Sequence, residues 1–230
     1  MHGTSTPQVR EHGITLVELL VAMIVLGVVT TLLLVSWTSL QKSYAHSVKS
    51  NNARAEARDA MARMSREIRD AQPAAITSPP SSPFTQAGPY EVTFYSAFNS
   101  SGVRADGSGM GALRLTRIYL DTSGGAAQKR IVWQRDTNDS GSFDGADRTI
   151  VLARDVVNSS VPSVGSPTPV FTYGYRDASG EYQATTSVPS ADLGTIVSVH
   201  IHLIVDANLV RAPAPADLQT TVLPRNAPQR

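Results

Sequence analysis

Gly13-Ile14-Thr15-Leu16-Val17-Glu18-Leu19-Leu20 opens an apolar run that continues to Trp37, and the rest of the chain has to fold around it. From Ile14 to Trp37 there are 24 residues with no Lys, Arg, Asp or Pro, and Glu18 is the one ionisable side chain among them. As a helix rising 1.5 Å per residue this run is roughly 36 Å long, enough to cross a hydrocarbon core of about 30 Å. The spacing predicts a membrane-spanning helix over 14–37.

Glu18 is the expensive member of that helix. A carboxylate inside the apolar region costs about 2.5 to 3.5 kcal/mol even on lenient insertion scales, so it calls for a partner. If the chain is cut after Gly13, Ile14 carries a new α-amine and Glu18 lies one helical turn below it. In a helical assembly the amine of one subunit meets the Glu18 of another, and each neutralises the other in low dielectric.

At these residues the sequence resembles the precursor signature of the type IV pilin superfamily, which includes type II secretion pseudopilins and competence pilins. The family pattern is a Gly at the cleavage site, an apolar first mature residue, and a Glu at the fifth mature position within Thr-Leu-(Val/Ile)-Glu-Leu. Gly13 through Leu20 match it in order. Two positions depart from it: most members begin the mature chain with Phe where Ile14 stands, and many major pilins carry Pro where Val35 stands.

The resemblance implies a leader over 1–13, cleavage after Gly13 by a prepilin peptidase, N-methylation of Ile14, and a subunit-assembly role for Glu18. It implies as partners other pilins or pseudopilins, the peptidase, an inner-membrane assembly platform and membrane lipid. The leader would lie in the cytoplasm, the span in the inner membrane and the β domain outside, before entry into a pilus or pseudopilus.

No Pro or Gly occurs between Ser36 and Gln72, so nothing forces the helix to stop at the membrane surface. Ala53, Ala57, Ala60, Met61, Met64, Ile68 and Ala71 recur at intervals of three and four, an apolar stripe that predicts an amphipathic second half over 38–72. Asp59 with Arg63, Arg63 with Glu67, and Arg66 with Asp70 are expected to pair at i,i+4 on the other faces. Pro73 ends the helix, and the Pro-rich stretch 73–89 reads as a loop.

From Tyr90 onward the pattern changes to period two. Tyr90–Phe98, Ala112–Leu120, Lys129–Arg135, Arg148–Val157, Val170–Arg176, Glu181–Thr185 and Thr195–Val205 are β-branched and aromatic runs separated by Gly, Asp, Asn and Ser clusters. Leu218–Leu223 can add a last strand. In the run 195–205, Val197, Val199, Ile201, Leu203 and Val205 are expected to face one way, and Ser198, His200 and His202 the other. The expected fold is α+β: a long N-terminal helix packed on one meandering antiparallel sheet over 90–230.

The net charge of +1 argues against electrostatic capture of nucleic acid, and the absence of cysteine excludes disulfides, zinc–thiolate sites and thiol nucleophiles. No Gly-x-Ser-x-Gly, His-Glu-x-x-His or phosphate-binding loop is present, so a structural protein rather than an enzyme is expected.

One segment has the composition of a cation site. Asp136, Asn138, Ser140, Asp144 and Asp147 fall at positions 1, 3, 5, 9 and 12 of the calcium-loop template, with the Ser142 carbonyl at position 7 and Gly141 at the sharp turn. Against it, position 12 is Asp rather than Glu and strands rather than helices flank the loop; an Asp/Gly-rich hairpin is the plain alternative. His200 and His202 share a strand face, with no third metal ligand evident and a solvated polar pair the plain alternative.

The long helix at 52–72 and the extended β region favour a minor or J-type subunit over a bulk major pilin. The ending Val222-Leu223-Pro224-Arg225-Asn226 is also similar to the termini of J-type pseudopilins. The expected function is that of a structural subunit of a type IV pilus or type II secretion-like filament that helps initiate or cap assembly. The alternative is a tip adhesin or DNA-uptake pilin that binds an external ligand.

Overall fold

The computed structural model describes residues 15–73, 82–97, 113–124, 129–138, 140–158, 168–177, 179–207 and 215–225. The chain divides into two compact units, Met1–Val48 and Lys49–Arg230. One helix, α1 (Leu16–Arg69), contributes to both.

From Leu16 to Trp37, within the first unit, every face of α1 is apolar but for Glu18 and a few hydroxyls. Leu16, Leu20, Ile24, Val28, Leu32 and Val35 are each more than half exposed among the described residues. The helix is long and apolar enough to cross a membrane. Three of its hydroxyls bond the helix's own backbone: Thr30 and Thr31 donate to the carbonyls of Leu26 and Gly27 at 2.7 and 2.8 Å, and Thr38 to Val35 at 2.9 Å. A hydroxyl that bonds its own helix adds little cost in lipid.

In the second unit the expected stripe is the core face of α1. Ala57, Ala60, Met61, Met64 and Ile68 are buried, and Ala53 packs against them half-buried. The helix stops at Arg69, short of the expected Gln72. Ala71 instead bridges Ser96, and Gln72 N–H donates to the Tyr95 carbonyl at 2.9 Å.

The β region forms two antiparallel sheets where one was expected. The first is a five-stranded meander, β1 (Phe84–Ala87), β2 (Glu91–Ser96), β3 (Arg114–Asp121), β4 (Arg130–Arg135) and β5 (Arg148–Ala153). The second contains β6 (Phe171–Arg176), β7 (Tyr182–Thr185), β8 (Ile196–Val205) and β9 (Ala216–Val222) in the order β7-β6-β8-β9.

The two sheets are joined at both ends. At one end the Pro89 carbonyl accepts from Val170 and Phe171 N–H, and the buried Tyr173 hydroxyl donates to the Gly88 carbonyl at 2.9 Å. At the other end Val156 bridges Val205. Helix and both sheets therefore share one apolar core.

β1 corrects the expectation of a loop throughout 73–89. Four residues between Pro83 and Pro89 suffice for a short edge strand, the position prolines tolerate. Phe84 anchors it, packed edge-on against Phe94 with ring centroids 6.0 Å apart.

The strict alternation expected over 195–205 also fails at its start. Gly174 pairs with Ser198 and Tyr175 with Ile196, so Val197 is the extra residue of a bulge. Ile196, not Val197, fills the core there. Ile204, from the opposite face, is buried against Val157.

Asn158 ties the end of the first sheet to β8. It is fully buried, its Oδ1 accepts from Ile204 N–H at 2.8 Å, and its Nδ2 donates to the His202 carbonyl at 2.6 Å. Asn158→Ala leaves both backbone groups unpaired in the interior, and is expected to destabilise the unit by about 2–3 kcal/mol. Chemical denaturation of the variant checks this; an unchanged midpoint contradicts it.

Candidate functional site

Gly13 and Ile14 lie outside the described residues. The residues that follow build a helix start. Thr15 Oγ1 accepts the Glu18 N–H at 3.3 Å, and the Thr15 carbonyl accepts the Leu19 N–H at 3.1 Å. Thr15 is thus the N-cap, and Glu18 stands three residues on, the spacing of a capping box.

Glu18 lies in the first turn, where a negative charge is favoured by the helix dipole. Among the described residues no cation pairs with its carboxylate. Leu16, Leu19, Leu20, Met23 and Ile24 line a shallow apolar hollow on the same stretch of helix, and Glu18 is not part of its wall. Among the described residues the site is a single carboxylate in the first turn of an exposed apolar helix.

The loop 136–147 joins β4 to β5 and is closed by its own side chains. The buried Asp136 carboxylate accepts from the backbone N–H groups of Asn138, Ser140 and Gly141, the last at 2.8 Å. Asp147 accepts from Thr137 and Asp144 N–H, and Asp144 accepts from Ala146 N–H and Asn138 Nδ2. Ser140 Oγ donates to the Ser142 carbonyl at 2.8 Å.

Gly141 takes φ +71°, the left-handed turn the template asks for at that place. The oxygen types and the turn fit calcium. The acids are turned to backbone N–H groups instead of toward one point, and among the described residues no three His, Asp or Glu side chains are gathered to hold a metal ion. Phe143 holds the loop to the sheet by lying against the Arg117 guanidinium, 4.7 Å from the ring centroid.

His200 and His202 share a face of β8, as the alternation required, and each meets β9. His200 Nδ1 lies 3.1 Å from Thr221 Oγ1, and His202 Nε2 lies 2.8 Å from Asp217 Oδ1.

The most polar place in the interior was not expected. Glu67, assigned above to a solvent-side pair with Arg63, is 1 % exposed. Its Oε2 accepts from Arg135 Nη2 at 2.7 Å and from Ser96 Oγ at 3.3 Å. Arg135 Nε also donates to Thr116 Oγ1, and the guanidiniums of Arg63 and Arg135 lie 4.6 and 4.9 Å from the Trp133 ring centroid.

Burial pushes the Glu67 carboxyl above its ordinary value against the pull of Arg135 and Arg63, and burial likewise lowers the Arg135 guanidinium against the pull of Glu67. A signal for this was present. Glu67 stands three residues after Met64 and one before Ile68, on the flank of the apolar stripe, and β4 ends on an arginine in an otherwise core-facing position.

Residues 9–34 match the family model of the prokaryotic N-terminal methylation motif, which spans Gly13, Ile14, Glu18 and most of the apolar run. This is the motif of type IV pilin-like precursors. A comparison with curated proteins gives no match to the chain.

Proposed function

We propose that a chain opening on this methylation motif and this span is a structural subunit, a minor pilin or pseudopilin, of a type IV pilus or type II secretion-like filament. It is inserted in the inner membrane, cut after Gly13, methylated on Ile14, and packed into the filament through α1. The observation that carries the reading is the helix itself: apolar on every face of its first half and exposed among the described residues, with Glu18 in its first turn. Such a surface is at home in lipid and, after extraction, only against other helices of the same kind.

The test is recovery of the chain in sheared surface filaments or in a cross-linked pseudopilus fraction of its own cell, alongside the other short prepilins. Recovery that depends on the assembly machinery supports the reading, and a chain that stays wholly in the membrane under all conditions removes it.

A structural calcium ion in the loop 136–147 is a second proposal, supported by the donor types and by Gly141. The ion would displace the loop's internal hydrogen bonds. At the weak affinities of extracellular calcium modules, 2 mM Ca²⁺ would add about 0.6–1.8 kcal/mol, a rise of roughly 1–7 °C in melting. Identical melting in EDTA and in calcium rules the ion out.

A further inference from the structure

The face of α1 that meets the sheets is made of small or flexible apolar side chains. On a helix, residues four apart take equivalent places one turn along. Ala57 precedes Met61, Ala60 precedes Met64 and Met64 precedes Ile68 at that spacing, and all of them are buried. Apolar packing of this kind, with methionines that fill irregular gaps, tolerates more than one axial position.

Glu67 is the exception. Its place is walled by Arg135 at 2.7 Å and Ser96 at 3.3 Å, with the Arg63 guanidinium beside Trp133 one turn back. Two cations border this place, and it accepts a carboxylate. The residues four before and four after it are Arg63, in the helix, and Ala71, just past its end. A slip in one direction brings Arg63 against Arg135, a like-charge contact in the interior. A slip in the other brings Ala71 and leaves Arg135 buried without its counter-ion.

We infer that the Glu67–Arg135 pair is a register pin: it selects one axial position of the helix on the first sheet by making both neighbouring one-turn positions electrostatically unacceptable. The bridge from Ala71 to Ser96 and the hydrogen bond from Gln72 to Tyr95 lie just beyond the pin and form in this register. Arg154 and Glu56 also link the sheet to the helix, but Arg154 is 65 % exposed and the link is screened by solvent. Sliding by one turn is a known way for packed elements to switch between discrete states. A subunit pulled along its helix needs such a slip blocked; only that last use rests on the filament reading.

The chain has no cysteine, so introduced labels are specific. In full-length protein in detergent, spin labels at Asp59→Cys and Thr149→Cys, both exposed positions, report the distance between α1 and β5 by pulsed electron resonance. The double variant Glu67→Met/Arg135→Met removes the pin without burying a lone charge.

The expected result is melting within about 4 °C of the unsubstituted chain, together with a distance distribution that broadens or splits by up to about 5 Å, one helical turn. A single unshifted distance overturns the inference. Melting as low as that of Glu67→Met alone also overturns it, because the pair is then a source of stability. The readout needs no filament, so its failure is distinct from failure of the assembly reading.

Discussion

Glu67→Ala is expected to destabilise the Lys49–Arg230 unit by about 3–5 kcal/mol, because it takes the Glu67 carboxylate away from the buried Arg135 charge. Arg135 lies 8 % exposed between β3, the helix and Trp133, and it also donates to Thr116 Oγ1. At roughly 2–4 °C per kcal/mol for a unit of this size, the melting temperature falls by about 6–20 °C. A fall of only a degree or two would show that water reaches Arg135.

The same carboxyl gives a pH signature. Its folded value is raised above the ordinary 4.5 by burial. Between 4.5 and the raised value, the folded chain holds a proton that the unfolded chain has released. Stability from this group is therefore full below about 4.5 and is lost as pH rises through the raised value. Glu67→Gln carries no such proton, so its stability is expected to be flatter across that window than that of the unsubstituted chain. Parallel profiles would contradict the assignment of that slope to Glu67.

Glu18→Val is expected to leave insertion and cleavage intact and to cut recovery in the filament by at least about tenfold, the equivalent of 1.4 kcal/mol. Valine removes an intramembrane charge that costs about 2.5–3.5 kcal/mol, so the span itself becomes more favourable. Thr15 still caps the helix, and the first turn gives up only about 0.3–1 kcal/mol of dipole interaction. Reduced assembly then has one remaining source, the missing partner for the neighbouring α-amine. Quantitative immunoblots of membrane and filament fractions decide it, and equal incorporation of Glu18→Val and the unsubstituted chain would refute the charge-pair account.

The parts of the fold written in local periodicity were legible in the sequence. The stripe from Ala57 to Ile68 and the runs that became β2 to β9 need only spacing and turn residues, and they lie within a few residues of where they were expected. The misses share a cause, since each depends on what stands opposite. β1 exists because Phe94 and β2 offer Phe84 a partner. Val197 leaves the core because β6 pairs around it. Glu67 is buried because Arg135, far along the chain, arrives to neutralise it, and a helical wheel alone places a glutamate in solvent. Asn158 is anonymous in sequence and becomes a clamp only when β8 is present.

The site divides in the same way. The motif around Gly13 and Glu18 is local and was legible as a pattern. In the loop 136–147 the oxygens that composition offers to an ion also accept hydrogen bonds from the loop's own backbone. One sequence of donors serves either purpose, and composition cannot separate them.

The central claim, that this chain is a processed filament subunit, is tested most directly by mass spectrometry of its N-terminal peptide from the cell that makes it. The account predicts a mature chain that begins at Ile14 and carries one additional methyl group on its α-amine. A chain that retains residues 1–13, or one that begins at Ile14 without the methyl group, would contradict it.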